Sequence, residues 1–287
     1  MGKIGEVAIS RIFCGGNLTS GFAHSRDLIY VSALLRQYFT EEKIFETWQI
    51  CEQQGVNTAI LRLDDFVIRL INKYWKEHNG KLQWIAQIKV KETDLQSEAQ
   101  RAVDTGAIGV YVHGGVADQF VANGKVDLLG EALESIRRLG VIAGVAGHSI
   151  AVPMACEKAG LNPDFYMKTL NSANYWSAGP RLPHDPRWKS TPGQPVEPEY
   201  PPDDHDNIWE VTPRQTVEFM RTVKKPWIAY KVLAAGAIPP KEGFEFAFNS
   251  GADFICVGMF DFQVREDVRI AKEVLAGKLQ RQRPWLA

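Results

Sequence analysis

The sequence predicts a (βα)8 TIM barrel, and three observations carry that expectation. Short β-rich apolar runs alternate eight times with longer stretches of helical period, the pattern of parallel strands joined by crossover helices. A length of 287 residues suits eight such units plus one insertion, since barrels of this kind run to about 250 residues. No GxGxxG follows the first apolar run, which removes the usual mark of the competing arrangement, a doubly wound open sheet. One domain over 1–287 is expected, with a loop insertion at about 172–212.

The first strand is expected over 10–16. A helix opens at Thr40, where Thr-Glu-Glu-Lys supplies an N-cap hydroxyl and early acids that suit the helix dipole, and Gly55 stops it. Residues 57–63 make the second strand and 83–90 the third, followed by a helix over 92–105 that Gly106 ends. The fourth strand is 108–115; the helix after it closes at Gly140, and 141–149 is the fifth strand. A short helix over 151–159 precedes the sixth strand, 164–170. The seventh is 226–236 and the eighth 253–262, with the last helix starting near Val264.

Between Asn171 and Pro213 the rhythm breaks. Nine of the 15 prolines fall here, which rules out a regular helix, while Trp176, Trp188 and Trp209 set the segment apart from a disordered linker. It follows the sixth strand, on the rim where such barrels do chemistry, so a lid over substrate is expected. Packing against a neighbouring subunit of a homo-oligomer is the alternative.

Composition narrows the partners. Hydrophobic residues make up 45% and charged residues 23%, net charge is -1, and no basic run stands out. Nucleic acid and membrane surfaces need a basic field, so a small-molecule substrate is expected instead. No stretch approaches the 18 apolar residues of a membrane span, and the N-terminus has no apolar leader core. Cys14, Cys51, Cys156 and Cys256 are scattered without a CxxC pair, which fits reduced thiols in a cytoplasm.

In a barrel of this type the chemistry gathers at the C-terminal ends of the strands. Those ends carry Cys14 and Asn17, then Arg62, Asp64 and Asp65, then Gln87 and Lys89. His113, His148, Lys168 with Asn171, Lys231 and Asp261 follow. Polar side chains in apolar strands are costly unless paired or used. His113 and His148 end adjacent strands, so they could act as an acid–base pair, share a divalent metal, or serve shape alone. A metal needs a third ligand from Asp64, Asp261 or His205. Lys168 and Lys231 also end adjacent strands. An amine beside a second cation loses basicity, and its neutral form can attack a carbonyl; either lysine could equally pair with a carboxylate. Trp176 in the long loop would stack on substrate.

Several segments resemble known families. MKTLN at strand 6 and YKVLAAGAI at strand 7 resemble the paired-lysine strands of class I aldolases of the deoxyribose-phosphate aldolase type. That resemblance implies an imine on Lys168, tuned by Lys231, with no cofactor required. AGAI after strand 7 and GADFICVGMF at strand 8 resemble phosphate-binding barrels, which implies backbone contacts at Gly236 and Gly258; tight turns explain the same glycines. GGNLTSGFAHSRD, with HGG and AGHS, resembles an uncharacterised family of single-domain (βα)8 barrel proteins along the whole chain, and singles out Asn17 and His24 as pocket residues. Lys89 and His113 fall where aldo-keto reductases keep a lysine and a histidine. That family's aspartate and tyrosine after strand 2 have no match in NTAILRLDDF, where Asp64 comes late and no tyrosine follows nearby.

The expected function is lyase or aldolase chemistry on a small, carbonyl-bearing, sugar-derived substrate, within carbohydrate metabolism. Three alternatives stand beside it. One is a metal-dependent isomerase, hydratase or hydrolase using His113 and His148; another is a non-catalytic ligand-binding barrel; the third is a reductase of the aldo-keto type.

Overall fold

Eight parallel strands close on themselves: β1 (Ile12–Gly15), β2 (Thr58–Arg62), β3 (Gln83–Ile88), β4 (Gly109–Val112), β5 (Ile142–Gly147), β6 (Phe165–Thr169), β7 (Trp227–Tyr230) and β8 (Phe254–Val257). Each pairs with its sequence neighbour, and β8 returns to β1 with Cys256 opposite Phe13. The (βα)8 expectation is met. This computed structural model describes residues 1–25, 28, 30–175, 188–189, 197–198, 210 and 212–287.

Side chains alternate across each strand, so every strand feeds two cores. Phe13, Ile60, Ile85, Tyr111, Phe165, Met167, Ile228 and Phe254 fill the interior. Cys14, Leu61, Trp84, Val112, Tyr166 and Ile255 pack outward against the helices. An N-terminal hairpin, Gly2–Ile4 paired with Val7–Ile9, adds Ile4 and Ile9 to the interior cluster and plugs the lower end.

The outer layer is α1 (Val31–Tyr38), α2 (Glu41–Gln53), α3 (Asp65–Glu77), α4 (Ser97–Asp104), α5 (Gly114–Ala122), α6 (Val126–Arg138), α7 (Ala151–Lys158), α8 (Pro213–Met220), α9 (Pro240–Asn249) and α10 (Asp261–Ala276). Thr40 is the N-cap of α2, its hydroxyl accepting from the Lys43 amide at 3.3 Å. Several boundaries differ from expectation, four of them for clear local reasons. The Asp94 carboxylate accepts from the Gln96 and Ser97 amides, which holds 92–96 out of α4. The single helix expected before Gly140 is two, α5 and α6, separated at Gly124 with φ +70°. The seventh strand stops at Tyr230 because Lys231 turns left-handed, φ +59°. α10 starts at Asp261 rather than near Val264, since the Gln263 side chain accepts from the Phe260 amide at 3.2 Å and fixes the first turn there.

The lid expected over the insertion, with Trp176 and His205, lies outside the described residues. Of that stretch the structure describes a two-residue antiparallel pairing, 188–189 with 197–198, and Glu210 and Thr212. No described helix is long and apolar enough to cross a membrane. All four cysteines are free.

Candidate active site

Strand parity decides which strand-end residues reach the mouth. Ile60, Ile85, Tyr111, Ala146 and Ile228 face the interior, so Arg62, Gln87, Lys89, His113, His148 and Tyr230 continue on the inward side. Lys168 does not. Its strand neighbours Tyr166 and Leu170 belong to the outer core and Met167 to the inner, so Lys168 faces the helices.

β4 and β5 run side by side with Val112 opposite Val145, so His113 leaves β4 at the level of the inward Ala146, and His148 is the next inward residue of β5 above it. Their ring centroids lie 6.2 Å apart at 68°. His113 is the N-cap of α5, and the two glycines after it leave room for the imidazoles. A Cβ at position 114 would sit 2.8 Å from His148 Cε1 and 2.9 Å from Nδ1; one at 115 would sit 3.1 Å from His113 Cε1.

Asp118, one turn into α5, was not among the residues expected from sequence. Its carboxylate accepts from His148 Nδ1 at 2.7 Å and from the backbone amides of His148 and Ser149, each at 3.1 Å. Those bonds assign the His148 ring proton to Nδ1 and leave Nε2 as a lone pair. His113 is the opposite case. Its Nδ1 is sealed from solvent with no partner among the described residues, beside the first turn of α5. A bare lone pair facing the positive end of a helix costs less there than an unpaired N–H, so the His113 proton belongs on Nε2. Among the described residues neither Nε2 has a hydrogen-bond partner.

Both rings are neutral near pH 7. Burial, and next the neighbouring His148 and Lys89, push His113 down to about 3. Burial pushes His148 down to about 4, against the Asp118 hydrogen bond and with help from Lys231 and His24. The same balance puts His24 of loop 1 within electrostatic range of both rings and Lys231 within range of His148. The Tyr230 ring packs 5.6 Å from His148, and its hydroxyl donates to the Gly147 carbonyl at 3.3 Å. Tyr111 donates to Gln87 at 2.9 Å in the interior below. Lys89 is exposed at the mouth, and no carboxylate among the described residues pairs with it.

Other expected residues serve the scaffold. Lys168 is fully buried, and its ammonium donates to Glu210 at 2.8 Å, the Thr169 hydroxyl at 2.6 Å and the Thr169 carbonyl at 3.0 Å. With all three protons bonded it has no lone pair to offer a carbonyl. Asp64 caps α3 through the Val67 amide at 2.8 Å and pairs with Arg62 at 2.6 Å, while the Arg62 guanidinium lies over Phe22 of loop 1. Asp261 binds the Tyr38 hydroxyl at 2.5 Å and Lys43 at 3.0 Å, within the helix layer. Asn171 accepts from the Ala173 amide and reaches the Lys231 carbonyl at 3.4 Å, tying the two rim loops. The Asn17 carbonyl accepts from the Phe22 amide and closes the loop 1 turn. A Cβ at Gly258 would meet Leu18 at 3.1 Å, whereas Gly236, φ +85°, has open space beside it.

The metal alternative loses its ligands. Among the described residues no three His, Cys, Asp or Glu side chains converge, and Asp64 and Asp261 are engaged elsewhere. His205 lies outside the described residues.

No family model matches the sequence, and neither does any curated protein. Solved structures do match. Two structures of a Pseudomonas aeruginosa protein described as an aldo-keto reductase each share 14% identity and a TM-score of 0.63. They cover 96% of this chain and 93% and 94% of their own. A point mutant of Gox0644 in complex with NADPH shares 10% identity and a TM-score of 0.54, covering 94% of this chain and 84% of its own. The lyase expectation is not met: its imine-forming Lys168 is locked to Glu210 on the outer face of β6, and these structural neighbours are described as reductases rather than lyases. At such identities the shared property is the fold: this chain is a closed eight-stranded barrel built like those of proteins described as aldo-keto reductases.

Proposed function

We propose that this barrel is an oxidoreductase of the aldo-keto reductase kind, interconverting a small carbonyl compound and its alcohol with a nicotinamide cofactor. One observation carries the reading. Lys89 and His113 stand on the inward side at the ends of adjacent strands β3 and β4, in a barrel that matches such proteins along 96% of its length.

The rim suits the cofactor. Lys231, Ala234, Ala235 and Gly236 all have positive φ, 59°, 45°, 54° and 85°. Such turns make backbone amides concave toward an anion, as a pyrophosphate needs. Lys231 adds a cation, and the open space at Gly236 allows close approach of the backbone. When bound, the nicotinamide supplies hydride uptake or release.

The chain's own residues would handle the oxygen. His113, neutral and protonated at Nε2, donates a hydrogen bond to the substrate carbonyl. Lys89 offsets the negative charge that develops on that oxygen. His24 and loop 1 limit the access of water.

Titration of the protein with NADPH and NADH, followed by tryptophan quenching, tests the reading. A panel of aldehydes and ketones is then assayed by loss of the reduced nicotinamide. Saturable binding and turnover are expected, with His113→Gln lowering kcat about a hundredfold or more. Absence of binding by both nucleotides sinks it.

A further inference from the structure

On this reading the proton has no carrier. Aldo-keto chemistry needs a group that gives a proton to the carbonyl oxygen or takes one from the alcohol. No tyrosine stands between the end of β2 and α3, and Tyr74 within α3 is buried in the helix layer, bonded to Glu52. Tyr230, beside His148, directs its hydroxyl to the Gly147 carbonyl, and burial holds it well above the usual tyrosine range. We propose that His148, positioned by Asp118, is the proton carrier of this site, its Nε2 taking the proton from a substrate hydroxyl and returning it in the reverse direction. The proposal rests on the oxidoreductase reading above.

Three features of the fold support it. The Asp118 carboxylate takes three separate donors from the His148 segment, so ring orientation and tautomer are fixed together. Gly114 admits the ring onto the first turn of α5, where any side chain would collide at 2.8 Å. At Nε2 the two imidazoles carry opposite functions, a donor on His113 and an acceptor on His148, and their ring centroids lie 6.2 Å apart. One hydroxyl can bridge such a pair, accepting from His113 and donating to His148, through two hydrogen bonds of about 2.9 Å.

The step balances. In oxidation the substrate O–H bond breaks and an N–H bond forms at His148 Nε2. The freed oxygen pair becomes the carbonyl π bond, and the neighbouring C–H hydride leaves with its electron pair to the oxidised nicotinamide. Asp118 balances the imidazolium, which then loses its proton to water. Asp118 acts only through His148 and is a positioning residue. Among the described residues, His113 after β4 and Tyr230 at the end of β7 pack against His148, and Lys231 and His24 act on it electrostatically.

Long-range nitrogen–proton NMR correlation on the isotope-labelled full chain reads the tautomers directly. The Nδ1–H form is expected at His148 and the Nε2–H form at His113, with the His148 preference lost in Asp118→Asn. In steady-state assays His148→Gln is expected to lower kcat by about a hundredfold to ten-thousandfold, with NADPH affinity unchanged. The acidic limb of kcat/KM for alcohol oxidation disappears, and free imidazole partly rescues His148→Ala. An Nε2–H tautomer at His148 overturns the proposal alone, as does a His148→Gln enzyme with wild-type kcat and an intact acidic limb. A wild-type protein that neither binds nor turns over nicotinamides overturns the oxidoreductase reading and this proton carrier with it.

Discussion

Lys168 and Glu210 form a 2.8 Å ion pair sealed from water on the outer face of β6, joining the barrel wall to the far end of the long insertion. The second Glu210 oxygen accepts from the Thr212 amide at 2.9 Å, so the carboxylate is fully engaged. A buried pair of this kind stabilises little compared with apolar replacements of similar volume, but breaking it strands a charge. Lys168→Met alone is expected to destabilise the fold by about 3–5 kcal/mol, and Glu210→Leu similarly. The double variant should recover most of that loss in urea denaturation. Additive losses in the double variant would show that the pair is not coupled.

This pair marks where the sequence stopped being legible. The barrel was readable because eight apolar runs punctuated by glycines such as Gly55, Gly106 and Gly140 leave few other topologies. His113 and His148 were readable as neighbours because consecutive parallel strands pair. Lys168 was misread because MKTL looks the same whichever face the lysine takes. Parity is set by which of Met167 and Lys168 the interior accepts, and the partner lies 42 residues away. Asp118 was missed for a related reason: an acid inside a helix reads as solvated surface. Its signal was the HGG before it, since two glycines opening a helix admit something bulky, here the ring that Asp118 holds. Asp261 stands at a strand end in the sequence but begins α10, which turns it toward Tyr38 and Lys43.

The neutral histidines give stability a defined pH dependence. Burial holds His148 at about 4 and His113 at about 3, against 6.5 for the free side chain. Below pH 6.5 the unfolded chain therefore binds protons that the folded chain refuses, and stability falls as pH drops. The loss levels off once pH passes the folded values. For His148 the full penalty is on the order of 3 kcal/mol. Denaturation midpoints of the wild type should thus decline between pH 6.5 and 4, and His148→Gln should decline less steeply. Parallel curves for the two proteins would refute the neutral assignment.

Gly114 should tolerate no side chain. A methyl there meets two atoms of the His148 ring below 3 Å and the Tyr230 hydroxyl at 3.0 Å, and the ring is already fastened to Asp118. Overpacking of this sort costs about 1–3 kcal/mol. Gly114→Ala is expected to show that loss together with a kcat at least about tenfold lower, because the imidazole must tilt away from its bond. Gly115→Ala, whose nearest atom lies at 3.1 Å, should be milder in both respects. A Gly114→Ala protein with wild-type kcat and unshifted His148 resonances would show that the ring has more room than the distances allow.

The lower end of the barrel separates stability from chemistry. Arg283, in the C-terminal tail, donates to Asp253 at 2.6 Å and to the Gly251 carbonyl at 2.8 Å, with both side chains buried. Asp253 immediately precedes β8 and also accepts from the Trp227 amide at 3.0 Å and the Leu286 amide at 2.8 Å, so one carboxylate pins β7, β8 and the tail. Arg283→Ala leaves that carboxylate buried with only amide donors and Arg281 at 3.7 Å, which should cost about 3–5 kcal/mol. Lysine at this position should rescue little, because its single ammonium cannot reproduce the fork that also spans the Gly251 and Val223 carbonyls. These groups sit at the opposite rim from His148. Turnover per folded molecule, measured well below the variant's melting temperature, should therefore equal that of the wild type, whereas His148→Gln should show the reverse pattern. An Arg283→Ala protein of full stability would mean that the tail decorates the barrel rather than closing it.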